Sequence, residues 1–328
     1  MEVLRKRRVA LLGVVVAIGL IAAGCGGDDD NGGGSGSGGG ESLSGTIVID
    51  GSSTVAPLSE AAAELFQNEH PDVRITVGTS GTGGGFEKFC IGETDLSDAS
   101  RPIEEEEIAA CKSNDIEFDS VQVANDALSV VVNPENPVDC MTVAQLNQVW
   151  DQGSTVKTWG DIEGLDVPSD FASQSIDLVG PGTDSGTFDY FSEAINGEEG
   201  RIRSDYTDIG EDDQAAVDTV AGDEAAMGYI PYSFVSQAGD KVKALEIDGG
   251  EGCVAPTLEN VQAGTYVPLG RPLFVYASAA ALQKPAVLAF MKFYIDNAEA
   301  VAEATSFVPL TEAQAEEQHT KIEQLTSG

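Results

Sequence analysis

Positive charge is scarce in this chain of 328 residues: 17 lysines and arginines face 55 aspartates and glutamates, a formal net charge of −38. So acidic a surface repels a phosphate backbone, which excludes nucleic acid as a partner. It does not exclude a small anion, because a buried anion is held by local N–H and hydroxyl donors while solvent screens carboxylates beyond about 8–10 Å. Histidine is scarcer still, with only His70 and His319. His70 lies in Glu69-His70-Pro71 at a helix end and His319 in a polar C-terminal helix, so neither is placed as the base of a hydrolytic triad. With no CxxC pair and two histidines, a zinc site is not expected, nor any other metal or cofactor. The glycine loops that follow strands contain no GxxxxGK[ST] and miss the GxGxxG spacing, which argues against a nucleotide. There is no internal repeat.

What the chain does have begins with an export signal. Arg5, Lys6, Arg7 and Arg8 precede an apolar run from Val9 to Ala23, too short for a membrane span of about 20 residues. It ends in Ala22-Ala23-Gly24-Cys25, which resembles the lipobox of bacterial lipoproteins and makes Cys25 the expected lipidated first residue of the mature chain, with residues 1–24 removed. The mature charge is then (17 − 4) − (55 − 1) = −41. Residues 25–44 read as a Gly/Ser/Asp-rich tether with nothing to fill a core, and the 19 residues after Cys25 span roughly 25 Å as a flexible coil. The Asp28-Asp29-Asp30 triplet is a solvated charge run. Setting Cys25 aside leaves Cys90, Cys111, Cys140 and Cys253, an even set in an exported protein, for which sequence alone permits three disulfide pairings.

From Thr46 onward, β-rich runs alternate with helical patterns, predicting an α/β protein with largely parallel sheets. Strands are expected at 46–50, 74–77, 127–132, 176–179 and 273–276. Helices are expected at 57–68, 86–90, 102–112, from Thr142 to Trp150, at 188–195, 285–304 and 311–325. Thr142/Gln145 and Thr311/Gln314 are capping boxes. The folded body of 284 residues (328 − 44) exceeds the usual single core, so two lobes are expected.

Three strand-to-helix junctions are rich in Gly, Ser and Thr and poor in charge: Gly51-Ser-Ser-Thr-Val55, Gly78-Thr-Ser-Gly-Thr-Gly-Gly-Gly85 and Gly180-Pro-Gly-Thr-Asp-Ser-Gly-Thr187. Helix N-termini carry unpaired N–H groups and favour anions, glycines admit a ligand close to the backbone, and hydroxyls add short donors. A bland N-cap explains any one of them. Three at the C-terminal ends of strands are much stronger evidence, since α/β folds bind ligands there.

At these junctions the sequence resembles the phosphate-binding lipoprotein subunit of the Pst-type phosphate ABC transporter family. The matching stretches are Gly51-Ser-Ser-Thr-Val-Ala-Pro-Leu-Ser-Glu60, Gly81 to Phe89, Gly92 to Ile103, Asp126 to Pro134, Gly180 to Phe191, Gly222-Asp223 with Gly228-Tyr229, and Pro268 to Tyr276. The resemblance implies a type II periplasmic-binding-protein fold: two α/β lobes joined by a two-strand hinge, with the ligand in the cleft. Lobe 1 would comprise 45–126 and 277–328, lobe 2 127–276, and the hinge strands would lie near 127–132 and 273–276. The family's phosphate contacts map onto Ser53, Thr54, Ser80, Thr82, Gly83, Ser100, Ser185, Gly186 and Thr187. Two departures follow. Pro181 stands where many members have arginine, and Ser100 where many have aspartate, so Arg101 is the expected cation and Asp184 or Asp98 the expected proton acceptor. The expected disulfides are Cys90–Cys111, because these cysteines end two successive short helices, and Cys140–Cys253, because both then fall in the inserted lobe. The reading is a monomeric phosphate receptor, not an enzyme, lipid-anchored through Cys25 outside the cytoplasmic membrane, that passes its ligand to an ABC transporter permease. A receptor for sulfate or molybdate is the alternative within the class, and a phosphate-ester hydrolase the alternative outside it.

Overall fold

The computed structural model describes residues 43–327; the signal segment, Cys25 and nearly all of the tether lie outside the described residues. The strands are β1 (Gly45–Gly51), β2 (Val73–Gly78), β3 (Leu96–Ala99), β4 (Phe118–Val132), β5 (Cys140–Thr142), β6 (Asp177–Gly180), β7 (Thr207–Asp208), β8 (Ala226–Pro231), β9 (Lys243–Ala244), β10 (Glu246–Asp248), β11 (Cys253–Val254) and β12 (Gly270–Ser278). One sheet runs β2-β1-β3-β12-β4-β8-β6-β7, with β9 on β4, and a small sheet runs β11-β10-β5.

The sheet is mixed, not largely parallel. β1 pairs parallel with β2 and β3, and β6 with β7 and β8, but β12 and β4 run antiparallel to each other and to their outer neighbours β3 and β8. The parallel pairs are those linked by helices, while the two central strands carry the chain between the lobes. Two cores result. Ile47, Ile49, Leu58, Phe66, Val121, Val123, Leu273, Val275 and Phe290 belong to the first. Leu128, Val130, Val132, Trp150, Trp159, Phe191 and Tyr229 belong to the second. β4 therefore serves both: its first half feeds one core and its second half the other, which is why a run of 15 residues stays in one strand. Each fully buried side chain of this size contributes about 1.5–3 kcal/mol of transfer free energy, so each half of β4 is anchored where it lies. In β12, Leu273, Val275 and Ala277 pack in the first core.

Several elements differ from expectation. β4 begins nine residues before the expected 127, since the polar residues of its first half alternate with buried valines. The helix expected at 86–90 spans Gly81–Phe89, so the second glycine junction is itself helical. Ideal Cβ atoms built on Gly84 and Gly85 would lie 3.0 Å from Ser80 Cβ and 2.5 Å from Gly51 Cα. Gly85 allows close packing of the helix on β1 and Gly84 makes room for the N-cap Ser80, roles the sequence alone does not separate from anion contact. The helix expected over 102–112 starts at Glu105, with Glu104 and Glu107 forming a capping box, and the one over 285–304 is two, Pro285–Asp296 and Ala298–Ala304, divided at Asn297. The capping boxes at Thr142/Gln145 and Thr311/Gln314 are both present.

Two disulfides staple the fold. Cys90–Cys111 closes the ends of helices Gly81–Phe89 and Glu105–Ser113 over a small aromatic cluster of Phe86, Phe89 and Tyr276. Cys140–Cys253 joins β5 to β11 across a sequence separation of 113.

Candidate functional site

The first junction is shaped by Gly51, whose φ is +148° and where a Cβ would fall 2.1 Å from the Asp98 carbonyl oxygen. Only glycine lets the chain turn there against β3. Ser52 N–H then donates to Asp98 O at 2.9 Å, and Ala56 N–H to Ser52 O at 3.0 Å, which presents Ser53 and Thr54 just ahead of helix Ala56–Glu69. At the third junction Ser185 caps helix Gly186–Asn196, its Oγ accepting from Thr187 N–H at 3.3 Å. The two junctions face each other: a Cβ on Gly186 would lie 3.7 Å from Thr54 Oγ1.

Between them lies a cavity of about 260 Å³, lined by Ser53, Thr54, Ser185, Gly186 and Thr187, by Asp126, Glu211 and Asp213, and by Phe234 and Phe307 among others. Hydroxyls and a helix N-terminus suit an anion, while the carboxylates suit a ligand that still carries a proton. Burial raises Asp126 above the ordinary carboxylate range despite the Arg271 guanidinium beside it. Burial, then repulsion from Glu211 and Asp212, pushes Asp213 up to about 6.

The remaining residues chosen from the sequence fall elsewhere. Ser80 donates through both N–H and Oγ to Asp50 Oδ1, at 3.0 and 2.6 Å. Burial pushes Asp50 up, but hydrogen bonds from Lys88 and Ser80 outweigh it and hold the carboxyl below its usual range. Thr82 Oγ1 and Ser100 Oγ lie 3.1 Å apart, and Gly83 sits beside Arg101. Ser80, Thr82, Gly83, Ser100 and Arg101 form a second cluster that does not line the 260 Å³ cavity. Arg101 is not a free cation: it forms a fork on Glu107 at 2.9 and 2.8 Å, with Glu104 at 3.4 Å and the Phe86 ring 5.8 Å away. Glu104 and Glu107, which form the capping box of helix Glu105–Ser113, are also what occupies it.

Neither expected acceptor is in the cavity lining. Asp184 is exposed, and the capping residue of its helix is its neighbour Ser185. Asp98, in β3, is wholly buried against helix Ala56–Glu69, accepting from Ser59 Oγ at 2.9 Å, and burial pushes it up to about 8. The buried charge that lines the cavity is instead Asp126, held from behind by Arg271, Nε to Oδ2 3.3 Å, side chains 10% and 13% exposed. They are cross-strand partners on β4 and β12. Each lies just ahead of an apolar strand run, Ala127–Val132 or Leu273–Tyr276; a lone charge at the start of such a run was the available signal.

A two-lobed α/β molecule whose crossing strands bring two helix N-termini to one small polar cavity is a solute-binding protein. A family model for the PBP superfamily domain matches residues 36–298. Relatives include protein SphX of Synechococcus elongatus, 43% identical over 80% of this chain and 77% of its own length. The phosphate-binding protein PstS of Staphylococcus saprophyticus is 34% identical over 86% of this chain and 85% of its own. A solved structure from Planctomyces limnophilus, described as a possible phosphate binding protein, is 41% identical with a TM-score of 0.81, covering 87% of this chain and 100% of that one. The chain belongs to the PBP superfamily and, within it, to the family of PstS and SphX proteins. An ABC-type phosphate transport receptor from Vibrio cholerae shares the fold at 23% identity and a TM-score of 0.65, covering 80% of this chain and 99% of that one. No helix among the described residues is long and apolar enough to cross a membrane.

Proposed function

We propose that this chain captures inorganic phosphate outside the cytoplasmic membrane and delivers it to the permease of an ABC transporter, as a monomer tethered through lipidated Cys25 and without catalysing a reaction. The observation that carries the reading is the cavity where Thr54 and Ser185-Gly186-Thr187 face each other beside the buried Asp126. Hydroxyls and N–H groups there donate to phosphate oxygens, while Asp126 accepts the proton that phosphate keeps at neutral pH. Sulfate has no such proton, and leaving a buried acceptor opposite it costs several kcal/mol. Ser80, Thr82, Gly83, Ser100 and Arg101 complete the site only if closure carries their cluster to the ligand. The expected lobes, 45–126 with 277–328 and 127–276, shift by a few residues at β12. Because Leu273 and Val275 pack in the first core, the crossing in β12 lies nearer Gly270–Pro272 than 273–276.

Titration calorimetry with phosphate, sulfate and molybdate tests the reading. Tight phosphate binding with weak or no binding of the other two is expected; preference for sulfate or molybdate would reassign the ligand. Turnover of a chromogenic phosphate ester would overturn the receptor reading.

A further inference from the structure

The Arg271 guanidinium has partners on both core sides and on the crossing strand β4. Nη2 donates to Thr54 Oγ1 at 3.3 Å, on the first-core side. Nε donates to Asp126 Oδ2 at 3.3 Å, on the crossing strand β4. Nη1 lies 3.6 Å from Glu193 Oε2, and Cζ stands 3.5 Å from the centre of the Tyr190 ring, both on helix Gly186–Asn196 of the second-core side. Tyr190 is itself fixed, its hydroxyl donating to Pro268 O at 2.9 Å, and it is 4% exposed. Arg271 is not among the residues lining the cavity. It reaches the site only through Thr54 and Asp126.

We infer that Arg271 is a positioning residue, a strut between the lobes that sets their relative orientation and holds Thr54 and Asp126 in place for the anion. The inference rests on the anion-binding reading for its effect on affinity, but not for its effect on shape. A planar fork can hold a hydroxyl, a carboxylate and an aromatic face at once; a lysine ammonium keeps the charge but cannot stack and bridge in the same geometry. Removing the strut lets the empty receptor sample more lobe orientations, and a binding-competent state that is less populated weakens apparent affinity in proportion.

The test pairs small-angle X-ray scattering of the ligand-free protein with phosphate calorimetry, on wild type, Arg271→Lys and Glu193→Gln. Arg271→Lys is expected to change the scattering of the empty protein and to weaken phosphate binding on the order of tenfold. Glu193→Gln, which loses one arm at the half-exposed rim, should shift both in the same direction by less, and it carries the test if Arg271→Lys does not fold. Weakened affinity with unchanged ligand-free scattering would mean that Arg271 acts on the anion directly, and the strut is then wrong. Unchanged affinity and scattering would overturn it equally. If wild type binds no phosphate, the scattering comparison still decides the strut while the phosphate reading alone fails.

Discussion

A carboxylate can recognise a protonated oxyanion only where water has not already satisfied it, and that separates Asp126 from Asp184. Asp126 is 7% exposed and lines the cavity, whereas Asp184 is exposed. Asp126→Asn is therefore expected to weaken phosphate binding and to narrow the gap to sulfate, while Asp184→Asn leaves both within twofold. Competition calorimetry with the two anions reads the difference, and an unchanged preference in Asp126→Asn would remove it as the acceptor. Asp98 answers to another measurement. Its carboxyl, raised from 3.8 to about 8 by burial, keeps in the folded state a proton that the unfolded chain releases above about pH 4. Stability should accordingly fall as pH rises from about 4 to 8 on account of this group, the contribution being fully present below that window and lost above it. Asp98→Asn should flatten the dependence of the melting temperature between pH 5 and pH 8; a slope equal to wild type would show that Asp98 does not carry it.

Among the elements, helix Gly81–Phe89 illustrates how one composition serves two physical ends. A Gly-Thr-Gly-Gly-Gly run reads equally as a loop around an anion or as a helix face stripped of side chains, because both demand backbone close to another atom. The tertiary contact decides: Gly85 packs on Gly51, and a Cβ there would come 2.5 Å from Gly51 Cα. Backbone cannot swing aside as a long side chain can, so Gly85→Ala should cost about 1–3 kcal/mol of unfolding free energy by overpacking. It should also displace the first junction. Gly81 has open space around it but a φ of +81°, so alanine there meets strain without a clash and should cost about 1 kcal/mol. Chemical denaturation of both variants checks the ranking, which fails if Gly81→Ala proves the more costly.

At the scale of the whole molecule, the two disulfides should differ in weight. Cys140–Cys253 closes a separation of 113 residues and Cys90–Cys111 one of 21. In the chain-entropy model these correspond to about 4.8 and about 3.3 kcal/mol. Replacing Cys140 and Cys253 together by alanine should lower the melting temperature more than replacing Cys90 and Cys111, by thermal unfolding under identical conditions; the reverse order would mean that local packing around the aromatic cluster outweighs loop closure.

Local chemistry sufficed for much of this. Short β-rich apolar runs placed β1, β2, β4, β6 and β12, because strands inside a sheet bury such side chains, while β3 and β8 were not foreseen. Capping boxes at Thr142 and Thr311 marked helix starts, because orphan N–H groups need acceptors wherever the helix lies. Glycine and hydroxyl residues after β1 and β6 were legible as candidates to face a ligand for the same reason, and Ser53, Thr54 and Ser185 to Thr187 line one cavity. Which charges reach that cavity was settled only by the tertiary structure. Arg101 has a bidentate partner six residues away and does not line the cavity. Asp126 and Arg271, 145 residues apart, become neighbours through the antiparallel pairing of β4 and β12. A charge acts on what lies within a few ångströms of it, and over such a separation that distance is set by strand register, not by the residues adjoining it in sequence.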